Sequence, residues 1–81
     1  MAPEEIKKIL EAGIEGAEAS VTGDGNKYEA TIISNAFEGM NMVKKHQLVY
    51  AQVNEHIASG AIHALTIKAY TPAEWEALQA G

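Results

Sequence analysis

Apolar residues near the start of the chain recur at Ile6, Ile9, Leu10 and Ile14, which is helical spacing. Pro3 suits the first helical position, Glu4 and Glu5 suit the positive end of the dipole, and Gly13 and Gly16 end the helix. The period then shortens. Glu18 to Thr22 and Tyr28 to Ser34 read as two strands joined by Gly23-Asp24-Gly25-Asn26, with Tyr28, Ala30 and Ile32 on one face. After a break at residues 35–39, a longer helix is predicted from about Asn41 to Ala58. At about 100° per residue, Met42, Val43, Val49, Tyr50, Val53 and Ile57 form one apolar stripe that includes His46. Lys44, Lys45, Leu48, Gln52, Glu55 and His56 point the other way. Ser59-Gly60 stops this helix, and residues 62–68 alternate as a third strand with His63, Leu65 and Ile67 on one face. Thr71-Pro72-Ala73-Glu74 is a capping box, so a short helix carrying Trp75 and Leu78 follows.

The predicted order is α-β-β-α-β-α, an α+β layout. A hairpin and a later strand form one three-stranded sheet, with the helices packed on one face to bury its apolar side. Residues 1–81 read as one small domain, too small to wall a deep catalytic cavity.

Composition narrows the chemistry. There is no cysteine, and all six basic residues are lysines. Disulfides, a thiol nucleophile and a zinc site with thiolate ligands from this chain are therefore excluded. A net charge of −5 has the wrong sign for a protein that chiefly neutralises phosphates. Only residues 35–70 are mildly basic. No apolar run is long enough to cross a bilayer and the amino terminus is acidic, so a soluble cytoplasmic protein is expected.

No enzyme motif appears. Ser20, Ser34 and Ser59 lack a Gly-x-Ser-x-Gly turn, and no His-Glu-x-x-His pattern is present. Gly13-Ile14-Glu15-Gly16 has the spacing of a nucleic-acid clamp, but Glu11, Glu15 and Glu18 around it would repel phosphate, so it reads as a helix stop. Asp24 reads as a turn residue. Lys44, Lys45 and Lys68 are the basic cluster available for phosphate, and two adjacent lysines on a helix are more simply a solvated face. His56 reads as a surface histidine at a helix end. His46, on the core stripe, is expected to be partly buried and bonded to a backbone carbonyl. For His63, opening a strand at the rim, a satisfied histidine and an exposed ligand are equally compatible with the pattern.

Five fragments in order carry a resemblance. Val21-x-Gly23-Asp24-Gly25, Phe37-x-Gly39, Val43-x-Lys45-His46-Gln47-x-Val49-Tyr50, Ile62-His63-Ala64 and Thr71-Pro72-x-x-Trp75 together resemble the BolA-like family, closest to its short bacterial IbaG type. The resemblance implies a KH type II-like fold without the GxxG clamp. It also implies a partner, a monothiol glutaredoxin, with which family members share a glutathione-ligated [2Fe-2S] cluster in iron–sulfur trafficking or iron homeostasis. The family's ligand histidine, at the start of the last strand, corresponds to His63. A second ligand, histidine or cysteine, often comes from the loop between the first two strands. Here that loop offers Asn26 and Lys27 instead, so His63 is expected to be the only cluster ligand from this chain.

The resemblance implies an alternative as well, a stress-related transcription regulator that binds DNA through a helix-turn-helix-like Lys/His segment. Lys27, Lys44, Lys45 and Lys68 are then the candidate contacts. Leu48, apolar on a polar helix side, is a candidate protein contact, and the free chain is expected to be a monomer or weak homodimer.

Overall fold

The computed structural model describes residues 1–24 and 27–80. Helix α1 spans Pro3–Gly13, strands β1 and β2 span Glu18–Gly23 and Lys27–Ile33, and a 3-10 turn covers Asn35–Phe37. Helix α2 spans Met42–Ala58, strand β3 Ala64–Tyr70 and helix α3 Pro72–Ala80. The element order is the expected one. Most boundaries fall close to those read from the pattern; β3 begins and ends two residues later than the predicted 62–68.

The sheet has the order β1-β2-β3 and is mixed. β1 runs antiparallel to β2, and β3 parallel to it, because the chain crosses back through α2 before pairing again. The hairpin requires Gly23. Its φ is +150°, and a Cβ there would lie 2.3 Å from the Lys27 carbonyl oxygen. Gly25 and Asn26, the rest of the predicted turn, lie outside the described residues.

α1 and α2 cover one face of the sheet. Ile6 and Leu10 of α1, Ala30 and Ile32 of β2, and Val49 and Val53 of α2 are fully buried there, and Phe37 fills the space beneath the 3-10 turn. Burying a side chain of this size contributes about 1.5–3 kcal/mol. α1 and α2 come close at Gly13, where a Cβ would meet Gln52 Oε1 at 2.0 Å. The predicted helix stop is realised there: α1 ends at Gly13 and Ile14 is already extended.

Polar side chains lock the corners. The buried Ser34 hydroxyl donates to the Glu15 carbonyl (2.5 Å) and accepts from Ala36 N–H (3.0 Å), fixing the turn against the end of α1. Tyr28 Oη donates to the Met1 carbonyl and ties down the amino terminus. Glu11 accepts the Ala19 N–H at 3.1 Å, which occupies a donor on the edge strand β1. Lys7 (2.7 Å) and that N–H hold the Glu11 carboxyl below the usual carboxylate range.

Candidate functional site

His63 owes its setting to the residue before it. Ile62 is buried, and its N–H donates to the His56 carbonyl (3.0 Å), pinning the chain as it leaves α2. β3 starts only at Ala64, so His63 sits in the bend ahead of the strand and escapes the in-out alternation that was to place it with Leu65 and Ile67. It is exposed, and no described residue hydrogen-bonds to its imidazole. Of the two readings left open, the fold supplies the geometry of the exposed one. Ala64 pairs with Lys27, so His63 lies at the same end of the sheet as the loop between β1 and β2.

Among the described residues, no group of three or more histidines and acids gathers at metal-holding distance. An accessible imidazole suits an iron–sulfur centre as a single ligand, since such centres accept nitrogen in place of thiolate. Without a thiol in the chain, any thiolate ligand beside it would come from outside it.

Helix α2 corrects the sequence reading most. Its buried residues are Lys45, Val49 and Val53, so the inward face is rotated by roughly 60° from the apolar stripe. Met42 and Val43, expected inside, are 72% and 63% exposed, and Tyr50, about two turns further along, is exposed with its hydroxyl 3.4 Å from the Leu65 carbonyl. Leu48 and His56, expected outside, are partly buried, with Leu48 packed against the core. The physical reason lies in the neighbours: α1 approaches at Gly13 and draws the Leu48–Gln52 side inward, while α3 supplies a partner for a lysine. His46 is half-buried, but no described residue hydrogen-bonds to it, so the expected carbonyl bond is not formed. Instead it lines a groove with Met42, Lys45, Ile67, Lys68 and Tyr70.

The expected basic cluster is dispersed. Lys45, 8% exposed, is not a solvent contact, because its ammonium lies 2.7 Å from Glu74 on α3. Its aliphatic stem occupies a core position while the charge reaches out to a carboxylate. Lys68 pairs with Glu29 across the open sheet face (3.0 Å), which raises its pKa above the ordinary lysine value. Lys27 and Lys44 are exposed but belong to different regions, the end of the hairpin and the start of α2.

At the start of the last helix a local motif is complete. Thr71 and Glu74 form the capping box: Thr71 N–H donates to Glu74 Oε1 at 2.8 Å, and Glu74 N–H to Thr71 Oγ1 at 3.1 Å. Pro72 opens α3, and Trp75 stacks at a tilt on Tyr70, with ring centroids 5.5 Å apart. The Lys45 ammonium first, and then the Thr71 N–H, hold the Glu74 carboxyl below the usual carboxylate range. Phe37 is buried, and Gly39 (φ +78°) turns the chain toward α2. The sequence reading missed the exposed patch of Met42, Val43 and Tyr50 and the long-range role of Glu74. One signal for the first was available, since α2 carries more apolar positions than one buried face needs.

The model of the family described as BolA-like protein matches residues 8–74. The acid stress protein IbaG of Escherichia coli (strain K12) is 45% identical over 71 residues, covering 88% of this chain and 84% of that protein. Among solved structures, a bolA protein homologue from Coxiella burnetii superposes with a TM-score of 0.84 at 38% identity, covering 94% of this chain and 97% of that one. The BolA domain of SufE1 from Arabidopsis thaliana superposes with a TM-score of 0.78 at 32% identity, covering 89% and 93% respectively.

Proposed function

Since the chain belongs to the BolA-like family, we propose that it works as the nitrogen-donating partner of a monothiol glutaredoxin, sharing a glutathione-ligated [2Fe-2S] cluster in iron–sulfur trafficking or iron homeostasis. The observation that carries this reading is His63: an exposed imidazole without a hydrogen-bond partner among the described residues, at the rim of the sheet, in a chain without thiols. Such a cluster supplies one-electron chemistry and transferable iron and sulfide, and one imidazole in place of a thiolate lowers its net negative charge and raises its potential.

The part played by this chain is modest and specific. His63 presents one neutral nitrogen, Ile62 beneath it fixes where that nitrogen emerges, and the partner and glutathione contribute the sulfur. The exposed patch of Met42, Val43 and Tyr50 suits an apolar partner face and fits a protein-binding role. The DNA-binding alternative draws no support from lysines that are paired, as Lys45 and Lys68 are.

Co-expression with the host's monothiol glutaredoxin, followed by iron analysis, visible absorption and circular dichroism of the purified pair, tests the proposal. A coloured heterodimer is expected, with the cluster spectrum altered in His63→Ala while the two apoproteins still associate. An unchanged spectrum in that variant removes His63 as a ligand. A colourless mixture without association removes the partner reading altogether.

A further inference from the structure

The terminal helix α3 stands apart from the other two. None of its residues is buried, whereas α1 and α2 each bury part of their length. At nine residues it is too short to persist alone in water. Its attachment rests on a few contacts at its first turn. Thr71, just before it, is buried, Trp75 leans on Tyr70, and Lys45 of α2 grips Glu74. Two of the anchoring bonds end on the same atom, since Glu74 Oε1 accepts both from Thr71 N–H (2.8 Å) and from Lys45 Nζ (2.7 Å). The cap that starts the helix and the clamp that docks it therefore depend on one negative charge.

We propose that α3 is a releasable arm, clamped to α2 through Glu74 Oε1 and freed when that carboxylate is neutralised, while the sheet and the two larger helices stay folded. Neutral Glu74 weakens the cap and removes the counter-ion of an ammonium whose side chain is only 10% exposed. The unpaired ammonium then has no contact left that draws α3 onto α2. Release uncovers the side of Tyr70 on which Trp75 leans and leaves a free positive charge on Lys45, in the groove it lines with Met42, His46, Ile67 and Lys68.

Other titratable groups surround the arm. On the side of α2 and β3 they are His46, Tyr70 and Lys68, the last already paired with Glu29. Around Trp75 they are Lys7, Glu11 and Glu18, and α3 itself carries Glu76. Glu11, like Glu74, is bonded as a carboxylate, so it is the group whose titration must be separated from the proposed one.

Trp75 is the only tryptophan and reports the arm directly. Its emission, followed against pH alongside hydrogen exchange of α2 and the strands, is expected to shift to the red below pH 4.5 while core amides stay protected. Glu74→Gln is expected to show the released emission already at neutral pH, with amide exchange in α3 faster by at least about tenfold and α2 changed by less than about twofold. Glu11→Gln and His46→Gln are expected to leave the transition in place. Native Trp75 emission in Glu74→Gln at neutral pH overturns the proposal. So does loss of core protection together with the arm, or a transition that disappears in Glu11→Gln.

Discussion

The two sides of α2 invert the usual assignment. Lys45 is buried on one side, while Val43 and Tyr50 are exposed on the other. Val49 and Val53 share the buried side with the lysine, so that side is an ordinary core surface with a charge at its amino-terminal end. What separates the sides is the neighbour each one meets. The inner side faces the sheet and α1, and at its margin α3 offers a carboxylate; the outer side leaves Val43 63% exposed. A long side chain with an apolar stem is tolerated inside when its charge is matched, and two apolar residues remain outside when nothing covers them.

The largest expected contrast between the two sides comes from truncation. Val53→Ala should cost about 2 kcal/mol in urea denaturation through lost burial and a residual cavity. Val43→Ala should stay within about 0.5 kcal/mol of the parent protein. Equal costs would mean that the helix is not rotated as described.

Lys45 sharpens the comparison next. Lys45→Ala should lower the denaturation midpoint, because the stem leaves a gap and Glu74 loses its partner. Lys45→Met keeps the stem and discards the charge, and should return to within about 1 kcal/mol of the parent. If methionine is as damaging as alanine, the ion pair matters more to the inner side than the packing does.

Acid probes the same pair. The folded-state pKa of Glu74 lies below its ordinary value of 4.5, so its stabilising contribution is complete above that pH and is lost as pH falls through the lowered value. A titration of stability should therefore lose a component below pH 4.5 that is smaller in Lys45→Met, where only the Thr71 N–H still holds the carboxylate. On the exposed start of α2, Met42→Ser with Val43→Ser should leave folding nearly unchanged and weaken glutaredoxin association by about tenfold, measured by calorimetry. Unaltered association would move the partner surface elsewhere. Lys68 gives the smallest effect: its raised pKa makes its contribution full below 10.5 and lost as pH climbs through the raised value, and Glu29→Gln should abolish that alkaline loss.

Much of the molecule was legible along the chain, because local features were enough. Pro3 and Gly13 bracket α1, the alternation of Tyr28, Ala30 and Ile32 sets the buried face of β2, and Thr71 to Glu74 cap α3 with bonds between residues three apart. His63 was legible as a candidate, but its orientation was not. Whether it faced the core or the solvent turned on a strand beginning one residue later, and that start is fixed by pairing with Lys27, far away in sequence.

The sequence by itself determined the order of elements, the capping and turn chemistry and the absence of sulfur, since each follows from residue type and short spacing. Tertiary structure alone decided which side of α2 faces inward, that Lys45 and Glu74 meet across 29 positions, and that Met42 and Val43 stay uncovered. A helical period reports how apolar each side of a helix is. It does not report what the other elements bring to that side, and the matched charge and close approach at α2 came from α3 and α1.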